Sequence, residues 1–197
     1  MVHLGVYGTA TVLSGAILTI VLKVNSDVLF PAYSKVVQEG TGRLRQVMLR
    51  TRLVIDVGMI LPIAAIVVLG SRIVGVLYDP RYQDAGWMLQ ILSVRLLLVA
   101  TLSNSESCLI ALGHPKYSFL QNLCRTVAMF IAIPTGWTLA GIKGVIWAVT
   151  LSEIAPLIVT WFGLIRHRMF SVAAESRSLL FAGLGAILGL GVLHLWR

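Results

Sequence analysis

The sequence predicts an all-α polytopic membrane protein with about six transmembrane helices, and three observations carry that expectation. Of 197 residues, 57% are hydrophobic and only 12% are charged, against about 25% charged in an ordinary soluble domain. Mean hydropathy is +0.88, and so little charge cannot cover the surface of a water-soluble fold of this size. The apolar residues also fall in long runs. Gly58–Gly70 reads GMILPIAAIVVLG; extended back to Leu53 it carries only Asp56, and further apolar residues follow through Leu77. That supplies the roughly 20 residues needed to cross a hydrocarbon layer about 30 Å thick.

The spans are expected at Leu4–Leu22, Leu53–Leu77, Trp87–Leu112, Tyr117–Leu139, Val145–Ile165 and Leu179–Leu195. Turn chemistry separates them at YDPRY (Tyr78–Tyr82), GHPK (Gly113–Lys116), AGIKG (Ala140–Gly144) and the stretch HRMFSVAAESR. No internal repeat is evident. Basic residues gather on the first connection (Lys23, Lys35, Arg43, Arg45, Arg50, Arg52) and the fifth (Arg166, Arg168, Arg177), and thin out on the second and fourth. Loop Lys and Arg set orientation, so the odd-numbered connections are expected in the cytoplasm and both termini outside, in a multi-pass protein of the cell inner membrane.

The first connection has two readings. NSDVLFPAYSKVVQEGTGRLRQVMLRTR is expected to break its helix at Pro31, which lacks a donor N–H and restricts the residue before it. Beyond Pro31 an amphipathic pattern resumes with basic residues about a turn apart. It is either an interfacial helix meeting anionic lipid heads or a mobile linker between transporter helices.

Composition also excludes classes. The net charge of +8 does not argue for nucleic acid, because the basic residues are dispersed and not interleaved with aromatics on one face. Cys108 and Cys124 offer neither a disulfide framework nor a metal motif. His3, His114, His167 and His194 lack metal spacing, and no phosphate-cradling glycine loop, GxSxG or zinc pair occurs, so neither metal, cofactor nor enzymatic activity is expected. The opening MVHLGVYGTA has no basic region of the kind that begins a cleavable signal peptide.

The order of several short segments carries more. LGVYGTA precedes an apolar span and VLFPAYSKV; then come a Pro-bearing span ending VGVLYDPRYQDAGWMLQIL, CLIALGHPKYSFLQN and AGIKGVIWAV. Together they resemble the oligosaccharide flippase branch of the multidrug/oligosaccharidyl-lipid/polysaccharide exporter superfamily, over its second half. The resemblance implies a membrane domain over residues 1–170 like a flippase's C-terminal lobe, with about five spans, and an additional transmembrane helix over 171–197. It implies transport of a polyprenyl-diphosphate-linked oligosaccharide across the inner membrane for surface polysaccharide biosynthesis. No N-terminal lobe is expected within these residues, so the chain reads as a half or a fragment of a transporter, with a separate N-terminal-half chain or a homodimer as the expected partner, besides membrane lipids and the substrate. The alternatives are a multidrug or cation exporter half of the same superfamily, or a non-transporting or enzymatic membrane subunit of glycan assembly. Short outside connections argue against the enzyme.

A charge within hydrocarbon costs about 2.5–3.5 kcal/mol on insertion scales, so it marks a partner or a wet cavity. Arg95 and Glu106 lie about three turns apart on one face of the third span, with Asn104 beside Glu106. Gln121 and Arg125 share a face of the fourth. Glu153 precedes Pro156 by one turn, where carbonyls are freed. Arg95, Arg125, Gln121 and Asn104 are the candidate substrate contacts, the arginines because a guanidinium matches phosphate geometry with paired donors. Asp56, Glu106 and Glu153 are the candidate ion-coupling groups. The competing reading pairs these charges to lock helices together: Asp56 beside Arg52, and Glu106 with Arg125. Gly185 and Gly189 have the spacing that lets helix backbones approach.

Overall fold

Helix is the regular structure throughout the described residues. The computed structural model describes residues 2–195, and Met1, where the flippase-like lobe is expected to begin, lies outside them. Five helical stretches among the described residues are long and apolar enough to cross a membrane. In lipid the backbone has to satisfy its own N–H and C=O groups, which is why apolar runs of this length take helical form.

The first stretch contains α1 (Val2–Val24) and α2 (Phe30–Glu39), and the second α3 (Leu44–Ile55) and α4 (Leu61–Leu77). Then follow α5 (Asp84–Ala111), α6 (Lys116–Leu151), α7 (Ile154–Arg166) and α8 (Val172–Leu195). Within α6 the backbone leaves helical geometry at Ala140 and at Gly141, whose φ of +56° glycine adopts without a Cβ penalty. The chain reverses there: the backbones of Gly136 and Gly144 touch, and Gln121 bonds Thr160 farther down. The 51-residue stretch Lys116–Arg166 is therefore a hairpin of two arms, so the five stretches supply six helical passes among the described residues.

Pro31 does not break its helix as expected. A π turn, Asn25–Leu29, leads into α2, with Pro31 in the first turn and the Phe30 N–H reaching back to the Asn25 carbonyl. The wider turn and the first-turn position accommodate the missing N–H. Pro62 has the same device, the π turn Asp56–Ile60, with the Leu61 N–H on the Asp56 carbonyl. The first two passes consequently extend past the hydrocarbon: Gly5–Glu39, 35 residues, measures about 52 Å at 1.5 Å per residue. The α2–α3 pair is the excess at the basic end. Lys35, Arg43, Arg45 and Arg50 are exposed on it.

Helix α5 is the axis. From Ala85 to Ala111 none of its side chains is exposed. Helices α1, α4 and the α6–α7 hairpin surround it, and α8 packs outside α4. Small residues set the closest approaches. A Cβ on Gly86 would lie 2.6 Å from Ser71 Cα, and one on Gly189 would lie 3.0 Å from the Ala65 carbonyl oxygen. Gly185 sits directly on the Leu61 carbonyl, so the expected glycine contact forms.

Two outcomes follow. Gly185→Val is expected to cost about 1–3 kcal/mol by overpacking and to lower the apparent Tm in detergent; Gly183→Val, where a Cβ meets open space, should leave it unchanged. Equal midpoints would show that this contact does not hold α8. For orientation, the alternation of basic residues predicts that the α2–α3 turn faces the cytoplasm. In a background lacking Cys108 and Cys124, Gly42→Cys should react with an impermeant thiol reagent only after permeabilisation, whereas Lys143→Cys, at the hairpin tip, should react in intact cells.

Candidate functional site

Halfway along the passes, α5, α6 and the start of α7 bring three charges together. Glu153 lies in the short turn before α7, where Pro156 provides no N–H for the Ser152 carbonyl. Its carboxylate is fully buried, 0% exposed, between two guanidiniums. Arg95 places Nε and Nη2 each 3.0 Å from Oε1, and Arg125 places Nε 3.0 Å from Oε2. Arg125 Nη1 also donates to Asn122 Oδ1 at 2.9 Å. The arginines keep 28% and 26% of their side-chain surface exposed. With two guanidiniums on one carboxylate the cluster carries a net charge of about +1, and a guanidinium has five donor hydrogens, so outer donors remain unengaged among the described residues.

A second polar network ties the last helix to the second pass. Arg52, buried on α3, donates Nη2 to Glu175 Oε2 at 2.7 Å, Nε to Ser178 Oγ at 3.3 Å and Nη1 to Ser105 Oγ at 3.3 Å. Asp56, 0% exposed, accepts from Arg177 Nε at 3.1 Å and from Ser178 Oγ at 2.7 Å. Two cations meet two carboxylates here, so the network is charge-balanced and offers no excess to a ligand.

Four consecutive residues of α5 then anchor four neighbours. Asn104 Oδ1 accepts from the Tyr33 hydroxyl of α2 at 2.5 Å, and that hydroxyl also contacts Thr51 of α3. Ser105 receives Arg52 of α3. Glu106 accepts a short bond from Ser118 of α6, and Ser107 donates to Asn25 Oδ1 in the first π turn at 2.8 Å. On a helix, successive side chains point about 100° apart, so only a fully surrounded helix can do this. Outside the spans, the His114 and His167 rings stack at 4.1 Å and join the two neighbouring loops. Burial, then the positive charge of His114, Lys116 and Arg166, holds the His167 imidazole below its usual range.

The expected residues thus sort into separate places. Arg95, Arg125 and Glu153 converge. Glu106 does not pair with Arg125 as expected: it faces Ser118, and Glu153 holds Arg125 because the hairpin, not the sequence neighbourhood, sets which carboxylate lies opposite. Asp56 does not pair with Arg52, one turn away on its own helix; its partner is Arg177, since Arg52 is turned toward Glu175 and α5. Asn104 and Gln121 are each 1% exposed and serve Tyr33 and Thr160. Their Nδ2 and Oε1 atoms are buried without protein partners. The only sequence signal of the Arg52, Glu175, Arg177 and Ser178 network is two loop-flanking arginines that read as orientation charges.

These features define a multi-pass helical membrane protein with a positively charged ion cluster at mid-span. Compared with family models, curated proteins and solved structures, the chain finds no match in any of the three.

Removing one member of a wholly buried pair costs about 3–5 kcal/mol, and less is expected for Asp56 and Arg177, since Arg177 is 31% exposed. Arg177→Gln is therefore expected to reduce membrane abundance and Tm, and adding Asp56→Asn should recover part of the loss. No recovery in the double variant would count against the pairing.

Proposed function

We propose that the chain is one lobe of an inner-membrane transporter that moves a polyprenyl-diphosphate-linked oligosaccharide for surface polysaccharide assembly. The observation that carries this reading is the Arg95–Glu153–Arg125 cluster, a net positive charge about midway along the passes. Such a charge cannot rest against hydrocarbon, and its partly exposed guanidiniums suit a wet cavity shared with a second lobe. Guanidinium is the side chain that engages phosphate oxygens with paired donors, so the lipid-diphosphate group is the part of the substrate this site selects. The sign of the charge disfavours the cation-exporter alternative, since two arginines around one carboxylate repel a cation. The order of segments that resembles the flippase second half supports the same substrate class.

The test reads glycan export and membrane abundance together in cells that make the surface glycan. Arg95→Gln and Arg125→Gln are expected to abolish export at near-normal abundance. Lysine at either position should restore only part of it, because it keeps the charge and loses the paired donors. Normal export by both glutamine variants rules the reading out. Loss of abundance that is rescued by adding Glu153→Gln assigns the cluster to packing instead.

A further inference from the structure

Resting on the diphosphate reading, we infer that an anion entering between Arg95 and Arg125 displaces Glu153, and that the released carboxylate takes up a proton as it does so. In the free protein the Glu153 oxygens occupy Arg95 Nε and Nη2 and Arg125 Nε, all at 3.0 Å. Those inner donors are among the ones a bridging phosphate would use, since charge-assisted bonds to carboxylate and to phosphate have the same geometry. The two anions compete for one cradle.

The surroundings decide what happens to the loser. Glu153 is 0% exposed. Arg95 is the charged group α5 presents to it; Arg125 is the one α6 presents, with Asn122 behind that arginine and Cys124 beside it in sequence. The two acids on α5, Asp84 and Glu106, each lie about three turns from Arg95, and Glu106 is bound to Ser118. On its own side Glu153 has the hydroxyls of Thr150 and Ser152, which bond backbone carbonyls. No second cation among the described residues is placed to take over. A bare carboxylate so deeply buried is neutralised rather than left charged.

Charge counting gives the same answer. A diphosphate diester brings two negative charges to two guanidiniums, which leaves the site neutral if Glu153 is protonated and at about −1 if it is not; the full burial of Glu153 favours the neutral site. The step is one O–H bond formed on a Glu153 oxygen, with the proton drawn from water. Departure of the anion lets the arginines close on Glu153 again, and the proton returns to solvent. Loading with the anionic lipid and loading with a proton are then one event.

The experiment is calorimetry on the full chain in lipid nanodiscs, purified without separating copurifying chains. The probe is farnesyl-diphosphoryl N-acetylglucosamine, a diester whose two charges do not change near neutral pH. Titration in two buffers of different ionisation enthalpy counts protons. We expect uptake of about one proton per ligand in the unaltered protein. Glu153→Gln should bind about tenfold more tightly, with uptake near zero, because the competing anion is gone. Arginine-dependent binding without proton uptake in the unaltered chain overturns the inference and leaves the diphosphate reading standing. Binding that Arg95→Gln and Arg125→Gln do not weaken overturns both. Should Glu153→Gln fail to insert, the proton count on the unaltered chain still decides.

Discussion

A charge held in hydrocarbon has to be cancelled or hydrated, and this chain carries three such charges at one depth. Glu153 takes both arginines, so three helices must arrive with those residues facing one point. That requirement fixes more than the site. A slip of one residue on a helix turns its side chains by about 100°, which would direct Arg125 to lipid and leave Glu153 half paired. The hairpin tip at Ala140–Gly141 is what sets the register: its reversal puts residue 125 opposite 153 and residue 121 opposite 160. The close contact of Gly136 with Gly144 brings the two arms near enough for those side chains to meet.

Toward the basic end the strategy changes from an unbalanced charge cluster to saturation of polar groups. Asn104 to Ser107 bond α2, α3, α6 and the first π turn in succession, while Arg52 and Asp56 fasten α8 across the second pass. In this network nearly every polar atom has a protein partner, with Asn104 Nδ2 the exception. A balanced network suits a packed end of the bundle, and an unbalanced one suits a place where something else must bind. The contrast between the two clusters is the physical reason for assigning ligand chemistry to the mid-span one.

Much of this was legible in the sequence and some was not, for reasons that differ by residue. Apolar runs located the passes because lipid imposes one solution on the backbone. Arg95, Arg125 and Glu153 stood out because charge in an apolar run is costly wherever it falls. Their partners did not stand out. Asp56 and Arg177 are 121 positions apart in the chain, and only packing decides that Arg177, and not the nearby Arg52, reaches the carboxylate. Glu106 was the expected partner for Arg125, and the hairpin register chose Glu153. Pro31 misled because the rule that proline ends a helix assumes an α ladder ahead of it.

The two π turns show what that exception achieves. Each starts with a polar residue six positions before its proline, Asn25 before Pro31 and Asp56 before Pro62, and each of these side chains is bonded across helices, to Ser107 and to Arg177 and Ser178. A π turn inserts one residue into the helix, so the face presented after it is rotated relative to the face before it. In the first pass that rotation lets α1 pack on α5 while Tyr33, farther along the same continuous helix, addresses Asn104 and Thr51. Proline stabilises the arrangement, because without an N–H it cannot restore the α bond that would wind the extra residue out. The sequence feature that reads as a breaker is therefore a phase shifter, and it is what allows two long unbroken helices to serve both the lipid-embedded bundle and the polar anchor at its basic end.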